Sequence, residues 1–393
     1  MHEKKSEIFY NNLFQCSSFT CHCEKDIENI IPGEPPKTTL KLFAKKDQPL
    51  NFSYVSKEGL NLTGIAGGTI ERNILGKLLS IPEDNIDKHI EFFQQYGFLF
   101  PISTETYESV DAISLIETVN RIKATVHLMN AIAGKINYKN ILIFTTYLLF
   151  SQPITLQLDN YEYHTCSHDF SRYINSYNNF RDINRDPEVF LKGSFSVIDT
   201  LVGKTEVSAE FFNAVRSNAE TLQPGADTPW FKNIVALYTS FPTTDHNLRI
   251  IIDFYYHYMK DVAIIKNVAY GHLSYWQQKE EDNYTDEMKK ALLEIARIVV
   301  SAEINHNITG IHPRYEADAF APSWQVDTLI QALYFSIFYM KPGIEIYKEC
   351  KNPNCKRDKY FLIEATRTNK EYCSIQCSRA AAAQRYRNRK LNK

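Results

Sequence analysis

Apolar residues recur at helical spacing over most of the chain after Pro82. Ile86, Ile90, Phe93 and Tyr96 fall on one face, Glu83 and Asp84 precede them where a helix dipole favours acid, and Gly97 closes the segment. Ser109 to Ala133 reads as a second amphipathic helix and Lys139 to Phe150 as a mostly apolar third. The loop Pro224 to Asp227, with Thr228 as cap and Pro229 in the first turn, opens a helix from Trp230 to Ser240. Another runs from about Asp245 to Gly271, and its Phe254, Tyr255, Tyr256 and Tyr258 cover more than one face, as in a buried core helix. After the polar linker Lys279 to Asn283, residues Met288, Leu292, Ile295 and Val299 mark a helix from Thr285. Ile308 to Arg314 reads as a strand, Ala321-Pro-Ser323 as a cap, and Trp324 to Met340 as an apolar helix stopped by Lys341-Pro-Gly343.

Strand-like patterning is confined to short stretches. Phe52 to Val55 and Leu60 to Leu62 flank Lys57-Glu-Gly59 as in a hairpin. The glycine-rich loop from Gly64 to Thr69 has neither a P-loop lysine nor dinucleotide spacing, so it reads as a turn. Residues 1 to 50 give no clear period, and Pro32-Gly-Glu-Pro-Pro36 breaks any element there. The expectation is a mainly α chain with small β elements, α+β in class. It has a poorly defined N-terminal segment (1–50), a mostly helical acidic body (51–343) and a C-terminal treble-clef-like finger (344–393).

Length and composition allow a large core: 393 residues, 44% of them hydrophobic. The longest apolar run, Ile141 to Phe150, is far short of the ~20 residues a bilayer demands, and Met1 to Glu7 carries no apolar signal core. A cytoplasmic protein with reduced cysteines and no membrane partner is expected.

Charge is unevenly spread. The chain carries 44 Lys+Arg and 46 Asp+Glu; the part from Lys341 onward has 14 and 5, a net of +9, and the rest has 30 and 41, a net of −11. That polarity points to a polyanion at the C-terminal end.

The chemistry-bearing motif lies in the same segment. Cys350-Lys-Asn-Pro-Asn-Cys355 and Cys373-Ser-Ile-Gln-Cys377 are two close thiol pairs separated by seventeen residues, the spacing of a four-thiolate metal site. Pro353 turns the first pair back on itself, and a helix opening at Cys373 puts it one turn from Cys377. Lys359 to Ile363 with Thr366 to Lys370 suggests a hairpin between the pairs. One structural zinc ion is the expected cofactor, because four thiolates close the coordination shell. Beyond Cys377 the helix-forming tail carries six basic residues and no acidic one; Arg379, Arg385, Arg387, Arg389 and Lys390 are the nucleic-acid-contact candidates. Their positions spread around a helix, which favours phosphate contacts over base reading.

Cys350-x4-Cys355, Tyr360-Phe361, Glu371-Tyr372-Cys373-x3-Cys377 and the arginine-rich tail together resemble the CGNR-type zinc finger of bacterial transcription regulators. The similarity extends upstream through Ile308 to Arg314 and Ser323 to Tyr334, roughly the last ninety residues. After Cys377 the chain reads Ser378-Arg379-Ala380 where the family's name spells Gly-Asn-Arg. The resemblance implies a regulatory protein that binds nucleic acid, DNA in preference to RNA, with a body that senses a small ligand or protein partner. A protein-interaction adaptor using the finger, or an enzyme with its site in the body, are the other two readings.

Two further clusters have ligand chemistry. Cys16, Cys21 and Cys23, with His22 between the last two, read mainly as buried or half-buried thiols. His164, Cys166 and His168 alternate along the chain, which permits a second metal, with a polar surface patch as the plainer reading. No nucleophile elbow, HExxH, P-loop or kinase signature occurs, so no enzyme is expected.

Overall fold

A computed structural model gives the structure and describes residues 14–28, 37–55, 58–64, 68–133, 135–175, 194–211, 229–240, 245–278, 284–317, 321–340, 345–355, 359–364 and 369–391. The chain is mixed rather than mainly α. Among the described residues helix makes up 46% and strand 31%, and the first unit holds a seven-stranded mixed sheet. It divides into two compact units, residues 1–134, 154–165 and 304–393 in the first, and 135–153 with 166–303 in the second.

Much of the sheet of the first unit is built where no period was read. β1 (Gln15–Glu28) and β2 (Lys37–Val55) pair antiparallel along nearly their whole length. In β2 the even positions Leu40, Leu42, Ala44, Leu50, Phe52 and Tyr54 are buried, one face of a pleated strand. The β1–β2 register shifts between Phe19 and Cys21, where Lys45 to Gln48 of β2 stand opposite Thr20 alone; Cys16 before the shift and Cys21 and Cys23 after it are all buried. β3 (Gly59–Thr63) forms the expected hairpin with the end of β2, followed by β4 (Thr69–Glu71). β5 (Glu108–Asp111) adds to the other part of β2.

Three helices precede or follow β5: α1 (Ile74–Leu79), α2 (Ile86–Tyr96) and α3 (Ala112–Ala133). α2 lies against β1, where Gln94 Nε2 donates to Cys23 O at 2.8 Å and the Cys21 thiol to Phe93 O at 3.0 Å. Gly97, at φ +81°, ends α2; a Cβ there would lie 2.6 Å from Phe19 O, beside the β1–β2 register shift. α3 is buried almost all round, and its Lys123 ammonium donates to Ile81 O at 2.7 Å. Burial lowers that lysine to about 8.

The second unit contains α4 (Tyr138–Phe150), α5 (Asp169–Ile174), α6 (Pro229–Ser240), α7 (His246–His257) and most of α8 (Asp286–Asn307). Phe150, Phe170 and Tyr255 pack ring against ring at its centre. β6 (Thr155–Gln157) and β7 (Glu162–His164) form a small hairpin of the first unit; β8 (Ser194–Asp199) with β9 (Gly203–Ser208), and β10 (Ala263–Ala269) with β11 (His272–Gln278), belong to the second. The helix read as far as Gly271 therefore stops earlier. A π turn at Tyr258–Val262 converts it into β10, whose Ile264, Ile265 and Val268 are strand formers.

The chain re-enters the first unit through β12 (His312–Glu316) and β13 (Ala321–Val326). β13 runs parallel to β1, pairing Cys16 with Val326, and is the parallel step in an otherwise antiparallel sheet. Ala321 to Val326 is thus strand, not the cap and first turn of a helix. The apolar α9 (Leu329–Tyr339) starts later, capped by Thr328, whose hydroxyl accepts from Gln331 N–H at 3.2 Å. Among the described residues no helix is long and apolar enough to cross a membrane. The expected breakers and linkers at Pro32 to Pro36, Pro224 to Thr228, Lys279 to Asn283 and Lys341 to Gly343 lie outside the described residues.

Candidate metal centre

The two cysteine pairs are brought together by a hairpin and a helix start. β14 (Glu345–Glu349) and β15 (Tyr360–Glu364) pair antiparallel, Glu349 opposite Tyr360, so the Cys350 to Cys355 knuckle sits at their turn. The hairpin thus uses the strand before the first cysteine; Thr366 to Thr368, part of the expected turn, lie outside the described residues. Cys355 N–H bonds Asn352 O at 3.0 Å, closing the knuckle, and Lys351 N–H bonds Glu371 O at 2.9 Å, tying it to the second pair. Ser374 caps α10 (Ile375–Leu391), its hydroxyl accepting from Cys377 N–H at 3.2 Å.

Cys355 Sγ lies 3.6 Å from Cys373 Sγ and 3.7 Å from Cys377 Sγ, and Cys373 Sγ lies 3.4 Å from Cys377 Sγ. All four sulfurs fall within 4.8 Å of one another, and none is in a disulfide. Sulfurs at 2.3 Å on the corners of a tetrahedron are about 3.8 Å apart, so these spacings fit a metal at the centre. Cys373 N–H also points at Cys350 Sγ, 3.5 Å away, as backbone amides do toward thiolates. A hydrogen bond from the buried Asn352 side chain brings Cys377 down to about 7, while burial pushes Cys373 up. Cys350, Cys355, Cys373 and Cys377 can therefore hold a metal ion.

The cluster has little else to fold around. Its core is Cys350, Phe361, Ile363 and Cys377, with Ile346, Cys355, Tyr372 and Cys373 packed beside it, so half of these side chains are the ligands.

On α10, Cys377, Ala381 and Gln384 form the inner stripe; Gln384 reaches Asn354 of the knuckle at 3.4 Å. Arg379, Arg385 and Arg387 are exposed, and Tyr386 is 62% exposed among them. Arg389 and Lys390 belong to the same helix, with side chains outside the described residues.

The finger is pinned to the sheet unit. Asn130 pairs with Tyr347 through two hydrogen bonds. Asn73 Nδ2 donates to Tyr360 O at 2.9 Å, and Tyr360 N–H meets Ser80 Oγ at 3.3 Å. Asn73 adopts a left-handed conformation (φ 61°), accepts from Gly76 N–H with its side-chain oxygen, and so caps α1 while holding β15.

Cys16, Cys21 and Cys23 are buried thiols, and burial raises Cys16 and Cys21 to about 12 and Cys23 higher still. His164 is exposed and bonded to Thr155 at 2.8 Å. Cys166 and His168 are buried and meet Glu303, a residue that sequence spacing gave no reason to join to them. The chain matches no family model, no curated protein and no solved structure.

Proposed function

We propose that this is a cytoplasmic bacterial regulatory protein of the CGNR zinc-finger type, with one structural zinc ion in the four-thiolate centre and α10 as its nucleic-acid contact. The observation that carries the reading is a closed four-sulfur cluster from whose last ligand a basic helix continues directly. Fixing Cys377 fixes the first turn of α10, so metal binding orients Arg379, Arg385 and Arg387. Tyr386 interleaved with these arginines adds a ring for stacking on sugar or base, a pairing of aromatic and cation common to nucleic-acid surfaces. The arginines point to several sides, which supports phosphate contact and affinity more than base-specific readout. Zinc suits the site because four thiolates in tetrahedral spacing select it and leave no position open for catalysis.

The test is fluorescence anisotropy of the full-length, zinc-loaded chain with random duplex DNA and with single-stranded RNA at low and moderate salt. Duplex binding that exceeds RNA binding, and that is lost in the triple variant Arg379→Ala, Arg385→Ala, Arg387→Ala, is expected. No binding to either polymer at low salt contradicts the proposal and leaves the finger as a protein-docking module.

A further inference from the structure

Cys166 lies in the loop after β7, His168 immediately precedes α5, and Glu303 projects from α8. The three are 6%, 8% and 1% exposed, and their ligand atoms lie within 4.8 Å of one another. His168 Nε2 is 3.0 Å from Glu303 Oε1. A carboxylate this deep needs a cation or hydrogen-bond donors to hold its charge, since stripping its water costs several kcal/mol. Either an imidazolium or a metal ion can supply that charge.

The thiol in the same shell favours the metal. An imidazolium–carboxylate pair has no need of a cysteine, whereas thiolate, imidazole and carboxylate together are a zinc-class ligand set. The spacing agrees: nitrogen and oxygen ligands at about 2.0 Å on a tetrahedral ion are about 3.3 Å apart. So does the charge. One thiolate and one carboxylate neutralise a divalent ion around a neutral histidine, which makes burial of the whole site affordable.

We propose that Cys166, His168 and Glu303 bind a second divalent transition-metal ion of the zinc class, independent of the four-thiolate centre. On binding, the metal–sulfur bond forms as the Cys166 thiol releases its proton to solvent. Three protein ligands leave one coordination position for a small exogenous ligand, so the site differs in kind from the closed centre on the finger.

The test is metal content per chain by inductively coupled plasma mass spectrometry, on full-length protein purified with zinc and dialysed. Two equivalents are expected in the native chain. One is expected in Cys166→Ala with Glu303→Gln, and one in Cys350→Ser with Cys355→Ser. X-ray absorption at the zinc edge of the native chain covers the case in which a variant fails to fold. Nitrogen and oxygen neighbours beside sulfur support the second site. A single equivalent with an all-sulfur shell, or two equivalents that survive loss of Cys166 and Glu303, overturns it.

Discussion

The side-chain amide of Asn130 donates to Tyr347 O at 2.8 Å and accepts from Tyr347 N–H at 3.0 Å, pairing with β14 as a neighbouring strand would. One residue of α3 thereby satisfies both backbone groups of Tyr347 and fixes the hairpin that carries Cys350. Asn130→Ala leaves those groups part-buried and unbonded, at a cost of about 1–3 kcal/mol. Faster amide exchange across Glu345 to Glu349 and a lower melting temperature are expected, and unchanged exchange there would show the contact to be incidental.

Gly76 sets two effects against each other. Alanine is the better helix former by about 1 kcal/mol, but its Cβ would lie 2.5 Å from Tyr360 O, a backbone atom that β15 holds in place. Steric conflict should win, so Gly76→Ala lowers the melting temperature and loosens the finger. A rise in melting temperature would mean that β15 yields easily and is not firmly docked.

Metal removal should act locally. With half its core made of ligands, the finger has too little apolar area to stay folded, and a structural zinc site supplies on the order of 10 kcal/mol. α10, at 17 residues, is little longer than the about 12–15 residues below which an isolated helix is marginal. A strong chelator is expected to reduce far-UV helicity and to open exchange in α10 and β15 while β1 and β2 stay protected. Retained protection of α10 in metal-free protein would refute the dependence.

The cysteine pairs were legible because ligand chemistry imposes spacing on the chain itself. Much of the sheet was not. The even-numbered alternation of β2 was present at Leu40, Leu42 and Ala44, but Phe43 blurs it and Lys45, Lys46 and Asp47 end it, and the cysteines of β1 drew a chemical reading in place of a strand reading. The bulged stretch Lys45 to Gln48 of β2 further breaks the period on which such a reading depends. Trp324 failed differently: its apolar neighbourhood fits a buried strand as well as a helix, and pairing with β12 and β1 decides between them. Glu303 stands 135 residues from His168, a separation no local pattern encodes.

A buried ionic group should give the second unit a pH signature. His257 Nε2 and Tyr238 OH each donate to Asp199 at 2.7 Å, and Arg249 pairs with Asp253, which accepts from Thr200 beside it. Burial opposes both charges, but the His257 and Tyr238 hydrogen bonds outweigh it and hold Asp199 at about 2, while bonds to Asp199 and Asp261 raise His257 to about 9. The raised histidine stabilises fully below its unfolded value of 6.5 and loses that contribution as pH climbs through 9. The depressed aspartate stabilises above 3.8 and loses it as pH falls through 2. The pair therefore contributes most from about pH 4 to 6.5, on the order of a few kcal/mol. Denaturant unfolding of Asp199→Asn should lose this alkaline slope between pH 6.5 and 9; an identical pH profile for variant and native chain would exclude it.

The most direct measurement is the salt dependence of duplex DNA binding by the full-length zinc-loaded chain. If the six basic residues after Cys377 all meet phosphates, the logarithm of affinity falls linearly with the logarithm of salt at a slope of up to about −5. Replacing Arg379, Arg385 and Arg387 with alanine should shallow that slope by up to about 3. A slope near zero, or one that the triple replacement leaves unchanged, would contradict α10 as the nucleic-acid contact.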